Sequence, residues 1–469
     1  MASGTITSVE LVDAYLARIK AYDRAGKIKP NSIRHIDPRA RNVAAALDAE
    51  RRAGRVRGPL HGIPVLLKDN VGTKDQPTTA GSITLTRNVP KRDAFLTARL
   101  RRAGAVILGK ANLAEFANWV SLNMPNGYSS IGGQVSSAYD GSNPSGSSSG
   151  SAVAMSLALA TATIGSETAG SIVAPSSLAG IVGVKPTIGV VSRAGVIPLA
   201  PSWDTAGPMT RSVTDAAIVL GAIAGEDPRD PVTEGNAGKL PKRRDYTRLL
   251  GPRALRGVRL GYDPNLVTNV FTDVLIDLEN LGATLVEAPE IAPTAVASQI
   301  ELTAVPNQFK ASLNRYLATE AGSRVAVKTL GDIVAYADDH PERYPYGHDL
   351  LQASEATPGS AALGEAQAIP VREGIATALE AIFTANDIDA IVGPSYLYAY
   401  LAAAPGWASL TVPAGMDGDV PEGMMFVGRP FTDDKLLAYA SAFEPLGRKR
   451  VLLPTQVNDA LVAAACRRR

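Results

Sequence analysis

Helical and strand-like hydrophobic patterns alternate along the chain. Apolar residues recur every three to four positions, as on the buried face of an amphipathic helix, and predict helices over 8–22, 39–54, 93–103, 213–224, 271–281, 295–319, 361–386 and 434–443. Short apolar runs between these helices predict buried strands at 63–67, 105–108, 258–262, 283–286, 390–392, 409–412 and 424–427. Strands that alternate with helices in this way indicate an α/β protein.

The same pattern bears on domain organisation. Strands that read as continuous apolar runs are buried on both faces, so we expect a mixed, mostly parallel β-sheet covered by helices on both faces. The segment 225–245 is rich in Asp, Pro, Gly, Lys and Arg and is the best linker candidate, although a surface loop explains it equally. No repeat period is visible. We therefore predict a single large domain over residues 1–469.

Composition and charge exclude several classes of protein. The 469 residues carry 47 basic and 45 acidic side chains without an extended charged run, so nothing favours a nucleic-acid or membrane partner. The single cysteine, Cys466, excludes an internal disulfide framework and a cysteine-built metal site. The four histidines form no HExxH pair, which disfavours a zinc hydrolase. The longest apolar stretch, 152–165, is shorter than the roughly 20 residues of a membrane span.

The amino terminus shows no charged-then-apolar leader, so we expect a cytoplasmic protein by default. The first predicted helix begins almost at once, as if an upstream element had been trimmed. If a leader was removed with that element, a secreted or periplasmic location stays open.

Serine makes up half of the residues in the segment 136–151, which runs directly into an apolar helix. Such a composition in isolation suggests a flexible linker, but the flanking residues are small and apolar, which favours tight packing around a site. Gly146–Gly150 within it matches the G-x-S-x-G elbow of α/β-hydrolases at Ser148. That chemistry needs a histidine base, and the candidates His340 and His348 lie in a polar stretch that predicts a loop.

Two further segments carry candidate chemistry. Lys68 ends the apolar run 63–67, where loss of hydration lowers the pKa of a lysine and lets its neutral amine act as a general base. An ion pair with Asp69 at a strand end is the simpler explanation when Lys68 is considered alone. In 165–172, small residues lead into Ser171 at a predicted helix start, where clustered backbone N–H groups would suit an oxyanion hole. An ordinary N-cap serine explains Ser171 equally.

Taken together, these segments resemble the amidase signature family. The family's lysine motif corresponds to GIPVLLKDN around Lys68, its serine and glycine stretch to NPSGSSSGSAVA, and its nucleophile motif to GSETAGSIVAPSSLAGIVGVKPT. Further similarity lies in LGKANLAEFA at 108–117 and VSRAGVIPLAPSWDTAGPMTRSV at 191–213. The resemblance covers most of 8–225, with weaker echoes to about 445. It implies the amidase signature fold, with a signature core at about 55–225 and with 240–405 shaping the substrate pocket.

The resemblance also implies site residues. The family's Ser–Ser–Lys triad falls on Ser171 as nucleophile, Ser147 as bridging serine and Lys68 as base, with a cis peptide bond between Gly146 and Ser147. The family's oxyanion hole corresponds to the backbone N–H groups of Thr168, Ala169, Gly170 and Ser171. The triad needs no metal and no organic cofactor. For substrate contacts we expect Trp119, Ser148 and Trp203, with Tyr128 as a further aromatic candidate.

The implied activity is hydrolysis of a linear amide through an acyl-enzyme. Two departures from the family pattern, Ala169 in place of glycine and Ser145–Gly146 in place of a glycine pair, leave the triad intact. The GSSSGS and ETxGSI variants look most like the peptide amidase branch, which cleaves C-terminal carboxamides, while aryl amides and aliphatic amides stay open. Carbamates, urethanes or anilides are the alternative substrates on the same triad.

A glutaminase subunit of a tRNA-dependent amidotransferase and a Ser–His esterase are less favoured. In the former, the usual DEFAMG stretch would correspond to Ala114-Glu115-Phe116-Ala117-Asn118-Trp119, where Asn and Trp replace Met and Gly. We expect a small-molecule amide as the partner and a monomer or a homodimer as the assembly.

Overall fold

One mixed β-sheet organises the part of the chain described by the computed structural model, which comprises residues 1, 4–24, 28–291, 304–452 and 454. Cys466 and the first part of the predicted helix 295–319, up to 303, lie outside these residues. The strands are β1 Ile33–Ile36, β2 Pro64–Lys68, β3 Val106–Ala111, β4 Ala162–Glu167, β5 Val182–Lys185, β6 Thr205–Thr210, β7 Arg259–Tyr262, β8 Thr284–Glu287, β9 Ala390–Pro394, β10 Ala408–Asp417 and β11 Val420–Gly428.

The strands lie in the order β1-β3-β2-β4-β6-β5-β10-β11-β9-β7-β8. Neighbours are parallel in the pairs β3/β2, β2/β4, β9/β7 and β7/β8. They are antiparallel in the other pairs of that order. The expected α/β architecture with a mixed sheet is thus confirmed, but the expectation of a mostly parallel sheet is wrong. A hydrophobic run reports the burial of a strand and carries no information on its direction.

Helices pack on both faces of the sheet. They are α1 Ser8–Tyr22, α2 Ala40–Arg52, α3 Phe95–Arg102, α4 Ser149–Ser156, α5 Val173–Leu178, α6 Val213–Ile223, α7 Asn269–Asn280, α8 Val305–Thr319, α9 Leu330–Asp339, α10 Asp349–Glu355, α11 Ala361–Ala385, α12 Ala399–Ala403 and α13 Asp433–Arg450. Short 3₁₀ turns lie at Ile83–Leu85, Glu115–Ala117, Pro231–Thr233, Ala237–Lys239, Lys242–Arg244 and Pro341–Arg343. The linker candidate 225–245 holds three of these turns.

Successive residues of a central strand enter different hydrophobic cores. Val65 and Leu67 of β2 pack in the core that contains α6, whereas Leu66 between them packs with α1 and α2. This alternation follows from the pleat of a strand. It confirms the expectation of helices on both faces.

Four strands have no predicted counterpart, namely β1, β4, β5 and β6. In the central strands β4 and β6 the sequences are ATIGSE and TAGPMT, whose small residues, glycines and proline are depleted in strands. All of their residues are nevertheless buried, because both strands lie in the middle of the sheet. Tertiary packing overrides local propensity at these positions.

Candidate active site

Lys68 is the last residue of β2, between β3 and β4. Its side chain is fully buried, and its Nζ donates hydrogen bonds to Ser147 Oγ at 2.8 Å, to Ser166 O at 3.0 Å and to Ser166 Oγ at 3.0 Å. Asn70 Nδ2 in turn donates to Ser166 Oγ at 2.9 Å. The lysine amine is therefore held by hydroxyl and carbonyl oxygens, and among the described residues no carboxylate is in direct contact with it.

Burial lowers the pKa of Lys68 to about 7, against the smaller opposing effects of the negative charges of Glu167 and Asp204. The alternative of an ion pair between Lys68 and Asp69 is wrong. The carboxylate of Asp69 instead accepts a hydrogen bond from the Thr79 hydroxyl and lies 3.9 Å from Arg34 Nε. The two neighbouring side chains point to different partners because successive residues of an extended chain face opposite sides.

Ser147 lies just before α4, and the predicted cis peptide bond between Gly146 and Ser147 is confirmed. Its carbonyl accepts a hydrogen bond from the Ala114 N–H at 3.1 Å. The first turn of α4 is anchored as well, because the Gly150 N–H donates to the Asn112 carbonyl at 3.0 Å. These backbone contacts hold the Ser147 hydroxyl against the lysine amine.

Ser171 lies in the loop between β4 and α5. Its carbonyl accepts a hydrogen bond from the Ser148 N–H at 3.2 Å, which ties the two serine segments together. The carboxylate of Glu167 accepts hydrogen bonds from the N–H groups of Ile172 at 2.6 Å and Val173 at 3.1 Å. Ser171 makes no side-chain cap on α5, whose N-cap residue is Ile172, so the N-cap alternative is wrong.

The loop that carries Ser171 is shaped at both ends. Thr168 Oγ1 donates a hydrogen bond to Asp204 Oδ1 at 2.6 Å, and Asp204 accepts two further hydrogen bonds from the N–H groups of Leu199 and Ala200. Gly170 takes the left-handed conformation, with φ of +82°, whereas Ala169 lies outside that region. The replacement of a glycine by Ala169 therefore does not fall on the residue that needs glycine.

A cavity of about 350 Å³, here called the serine cavity, brings the predicted residues together. This volume is within the range of small-molecule sites. Its lining includes Ser147, Ser171 and the loop residues Thr168, Ala169 and Gly170. The remainder of the wall is contributed by Ala117, Asn118, Trp119, Ser121, Leu122, Asn126, Ser145, Gly146, Ala174, Leu199, Val305, Leu350, Tyr396, Ala399 and Tyr400.

The predicted substrate contacts divide into two groups. Trp119 lines the serine cavity, and its Nε1 donates a hydrogen bond to Ser354 Oγ at 2.9 Å. Ser148 and Trp203 do not line it, so these two expectations are corrected. The Ser148 hydroxyl points away and donates to the Ser166 carbonyl at 3.0 Å, while the fully buried Trp203 packs in the core and donates to the Ala404 carbonyl.

Tyr128, the further aromatic candidate, is also absent from the described lining of the serine cavity. Its ring instead packs edge-on against Tyr346, with ring centroids 4.9 Å apart. Tyr128 therefore contributes to packing. Its place near a motif in the sequence does not tell whether an aromatic side chain packs against its neighbours or lines the cavity.

Several wall residues have no signal in the sequence. Val305, Leu350, Tyr396 and Tyr400 come from α8, α10 and the segment around α12, far along the chain from the serine motifs. Ser166, which supplies two acceptors for Lys68, lies inside the nucleophile motif, but no feature of the sequence indicates this role.

The histidines required by an esterase mechanism are elsewhere. His348 Nε2 contacts Asp338 Oδ1 at 2.8 Å, and His340 stacks on Tyr336 with ring centroids 4.1 Å apart. Neither lines the serine cavity as far as the chain is described. The geometry therefore does not support Ser148 as an elbow nucleophile.

Within the described ranges, no group of three or more His, Cys, Asp or Glu side chains is arranged to hold a metal ion. In the same part of the chain, no helix has the length and apolar character needed to cross a bilayer.

A second cavity, of about 530 Å³, lies against the other side of the nucleophile loop and reaches Asn70 and Ser166. Ser166, which accepts hydrogen bonds from Lys68, and Asn70, which donates to Ser166, therefore also line this second cavity.

Comparisons with known proteins add to this geometry. A family model described as Amidase matches residues 10–402. A probable amidase of Arabidopsis thaliana is 37% identical over 457 residues, which cover 94% of this chain and 86% of the relative. A glutamyl-tRNA(Gln) amidotransferase subunit of Symbiobacterium thermophilum is 33% identical, with 97% of each chain covered. The X-ray structure of peptide amidase from Stenotrophomonas maltophilia superposes with a TM-score of 0.90 at 39% identity, over 97% of this chain and 96% of that one.

Proposed function

The chain belongs to the amidase family, and from this premise we propose that it hydrolyses carboxamides through an acyl-enzyme on Ser171. Ser147 is the bridging serine and Lys68 is the base. One observation carries the proposal: a buried lysine amine with a pKa of about 7 lies 2.8 Å from Ser147 Oγ, beside the cavity that Ser171 also lines. At neutral pH a large fraction of this amine is unprotonated and can accept a proton.

In the proposed reaction, Ser171 Oγ attacks the carbonyl carbon of the amide while its proton passes to Ser147, whose own proton passes to Lys68. The developing oxyanion accepts hydrogen bonds from backbone N–H groups of the loop 168–171. The leaving amine then takes a proton back through Ser147, and the C–N bond breaks. Water hydrolyses the resulting ester by the same relay and restores the Ser171 hydroxyl.

As the substrate we propose a peptide with a C-terminal carboxamide, so that ammonia is the leaving group. The likeness to a peptide amidase, at 39% identity over nearly the whole of both chains, supports this choice. The serine cavity also suits a peptide, because Trp119, Leu122, Leu350 and Tyr396 offer apolar surface beside the polar loop.

A glutaminase subunit is the second candidate, since the similarity to an amidotransferase subunit extends over 97% of both chains. In that case glutamine would be the amide, and a partner protein would receive the ammonia. The two functions differ in a simple observable. A peptide amidase turns over peptide amides alone in solution, whereas a glutaminase subunit prefers free glutamine.

The test is ammonia release from a panel that contains a C-terminally amidated dipeptide, benzamide, an aliphatic amide and free glutamine, with p-nitroaniline release from an anilide and hydrolysis of an aryl carbamate beside it. We expect fastest release from the peptide amide, and a loss of about ten-thousand-fold or more in Ser171→Ala. Ser156→Ala is the matched control, because this hydroxyl donates only to carbonyls of its own helix. Release that persists in Ser171→Ala would exclude the proposed nucleophile, and preference for glutamine would favour the second candidate.

A further inference from the structure

A third depression shares Tyr396 with the serine cavity. This distal groove, of about 540 Å³, is lined by the segment 394–397, by residues 265–268, by Leu178 and by residues 417 and 420–422 of the hairpin formed by β10 and β11. Tyr396 lines both the groove and the serine cavity, and 37% of the residue is exposed. Tyr396 is therefore the residue at which the two linings meet.

Hydrogen bonds between distant segments hold the groove open. The Ser395 N–H donates to the Gly423 carbonyl at 2.7 Å, and the Ser395 hydroxyl pairs with the Ser177 hydroxyl at 3.0 Å. On the opposite wall, Thr268 Oγ1 donates to Glu422 Oε1 at 2.7 Å. These bonds connect Ser395 to β11, and they connect the loop before α7 to the same strand. The groove is therefore pre-formed in the fold.

The groove exposes apolar side chains to solvent. Val267 is 39% exposed and Leu397 is 37% exposed, and they lie with Leu178, Leu266 and Val420 in one lining. Apolar surface of this kind beside a ligand cavity is typical of a binding site, because its burial by a ligand is favourable. An apolar side chain of a bound molecule is the natural contact for this surface.

The charge of the groove has one sign. Asp417 and Glu422 are the charged residues in its described lining, and Asp417 is exposed to solvent. A cationic group at this end of a ligand would be attracted, and an anionic one repelled. A peptide bound with its C-terminal carboxamide at Ser171 runs away from the serine cavity toward its own α-amino group, which is such a cation.

We propose that the distal groove binds the amino-terminal part of the peptide substrate, with an apolar side chain against Val267 and Leu397 and a free α-ammonium group near Asp417. This inference rests on the proposed function, since it assumes a carboxamide at Ser171. It makes chain length, the apolar residue and a free amino terminus determinants of specificity. Each added residue extends the peptide by at most about 3.6 Å. The preference for an apolar residue and a free amino terminus should therefore begin at the peptide length that reaches beyond Tyr396.

The test compares peptide amides of increasing length, each with a free and with an acetylated amino terminus, and N-acetylphenylalaninamide as a short reference substrate. In Asp417→Asn we expect kcat/KM for the long free-amino peptides to fall about twofold to fivefold, the size of an exposed charge pair. The acetylated peptides and the short reference should be unchanged. Asp419→Asn is the matched control, because it removes the same charge from the same hairpin turn but does not line the groove.

The apolar wall is tested with Leu397→Ser, for which we expect a loss of about threefold to tenfold on long peptides with a leucine in the groove and none on the short reference. Equal effects on long and short substrates, or no effect of either variant, would overturn the proposal. A sedimentation coefficient of Leu397→Ser that differs from that of the wild type would also overturn the proposal, because the groove would then be covered by a second copy of the protein.

Binding separates this inference from the proposed function. With the inactive Ser171→Ala protein, the dissociation constant of a long free-amino peptide amide should rise in the double variant with Asp417→Asn and stay unchanged with Asp419→Asn. If this difference in the dissociation constant is found while the wild type turns over no amide, the proposal for the groove is supported and the proposed hydrolysis is wrong. If turnover is found without the difference, the proposed hydrolysis is supported and the proposal for the groove is wrong.

Discussion

The pKa of Lys68 decides the pH at which its amine can accept a proton. Burial holds this pKa near 7, well below the ordinary 10.5, and oxygens of Ser147 and Ser166 accept hydrogen bonds from the amine. A surface lysine would be protonated at neutral pH and unable to act as a base. The position of a single residue at the end of a buried strand thus gives an amine that can accept a proton near neutral pH.

The first prediction is a pH profile with one acidic limb. Because the protonated lysine is inactive, kcat/KM for N-acetylphenylalaninamide should fall about tenfold per pH unit below pH 7 and level off above it. Lys68→Ala should abolish turnover, whereas His340→Ala and His348→Ala should keep both rate and midpoint. Initial rates from pH 5 to 9 check this, and a midpoint that moves in either histidine variant contradicts it.

Glu167 gives a second residue-scale prediction, as a positioning residue. Its carboxylate accepts the N–H groups of Ile172 and Val173 and so shapes the loop that carries Ser171, while burial raises its own pKa. In Glu167→Ala the loop loses both of these hydrogen bonds, and kcat should fall about a hundredfold, as for a misplaced reacting group. KM for the peptide amide should change little, because Glu167 does not line the serine cavity.

Glu167→Gln provides the comparison, since the amide oxygen can still accept a hydrogen bond. We expect it to recover at least part of the lost kcat. Steady-state kinetics of both variants on one substrate make the test. A large rise in KM with unchanged kcat would show that the residue affects binding and not positioning.

At the scale of elements, close approach of α4 to its neighbours determines where Ser147 lies. A Cβ on Gly150 would lie 2.4 Å from the carbonyl oxygens of Asn112 and Ser32, both of them backbone atoms. Backbone atoms cannot move aside as a flexible side chain can. Only glycine permits this packing of the helix against the strands beside it.

Gly150→Ala should therefore displace α4, lower the free energy of unfolding by about 1–3 kcal/mol and reduce kcat. Gly374→Ala is the matched control, because this exposed glycine of α11 has no atom within 4 Å of an added Cβ. In a helix interior that change should be neutral or stabilising by up to about 1 kcal/mol. Urea midpoints of the two variants check the prediction, and equal midpoints would contradict it.

Elements differ in how far their sequences predict them. α1 and α6 agree with their predicted spans to within one residue at each end, because Thr7 and Ser212 cap them and their apolar residues follow helical periodicity. β4 and β6 were not predicted, although β4 leads directly to the Ser171 loop. Their glycines and threonines allow close packing in the middle of the sheet, and local strand propensity does not capture this tertiary effect.

At the scale of the molecule, the serine cavity joins segments from both halves of the chain. Ser147 and Ser171 come from the first half of the chain, whereas Val305 and Tyr396 come from α8 and the segment after β9. One continuous sheet connects these parts. Loss of the second part would remove a wall of the cavity while leaving Lys68, Ser147 and Ser171 in the chain.

We therefore predict that thermal inactivation coincides with the loss of structure. The three tryptophans, Trp119, Trp203 and Trp407, share one hydrophobic core, so their fluorescence reports on it, while far-UV circular dichroism reports on the whole sheet. Midpoints of residual activity, fluorescence and dichroism at one scan rate should agree. A fluorescence transition well below the dichroism transition would instead indicate that the core around the tryptophans unfolds separately.

The cis bond before Ser147 follows from the resemblance to the amidase signature family. The amino-acid sequence itself predicts the alternation of helices and strands and the segments that hold Lys68, Ser147 and Ser171. These features depend on periodicity and on ordered motifs, which are local properties of the chain. The antiparallel direction of most strand pairs, the contact of Lys68 with Ser147 and not with Asp69, and the position of Trp203 in the core arise in the tertiary structure. The far wall at Tyr396 was likewise decided there, because contacts between residues more than two hundred positions apart depend on how the sheet and its helices pack, and no local pattern encodes that arrangement.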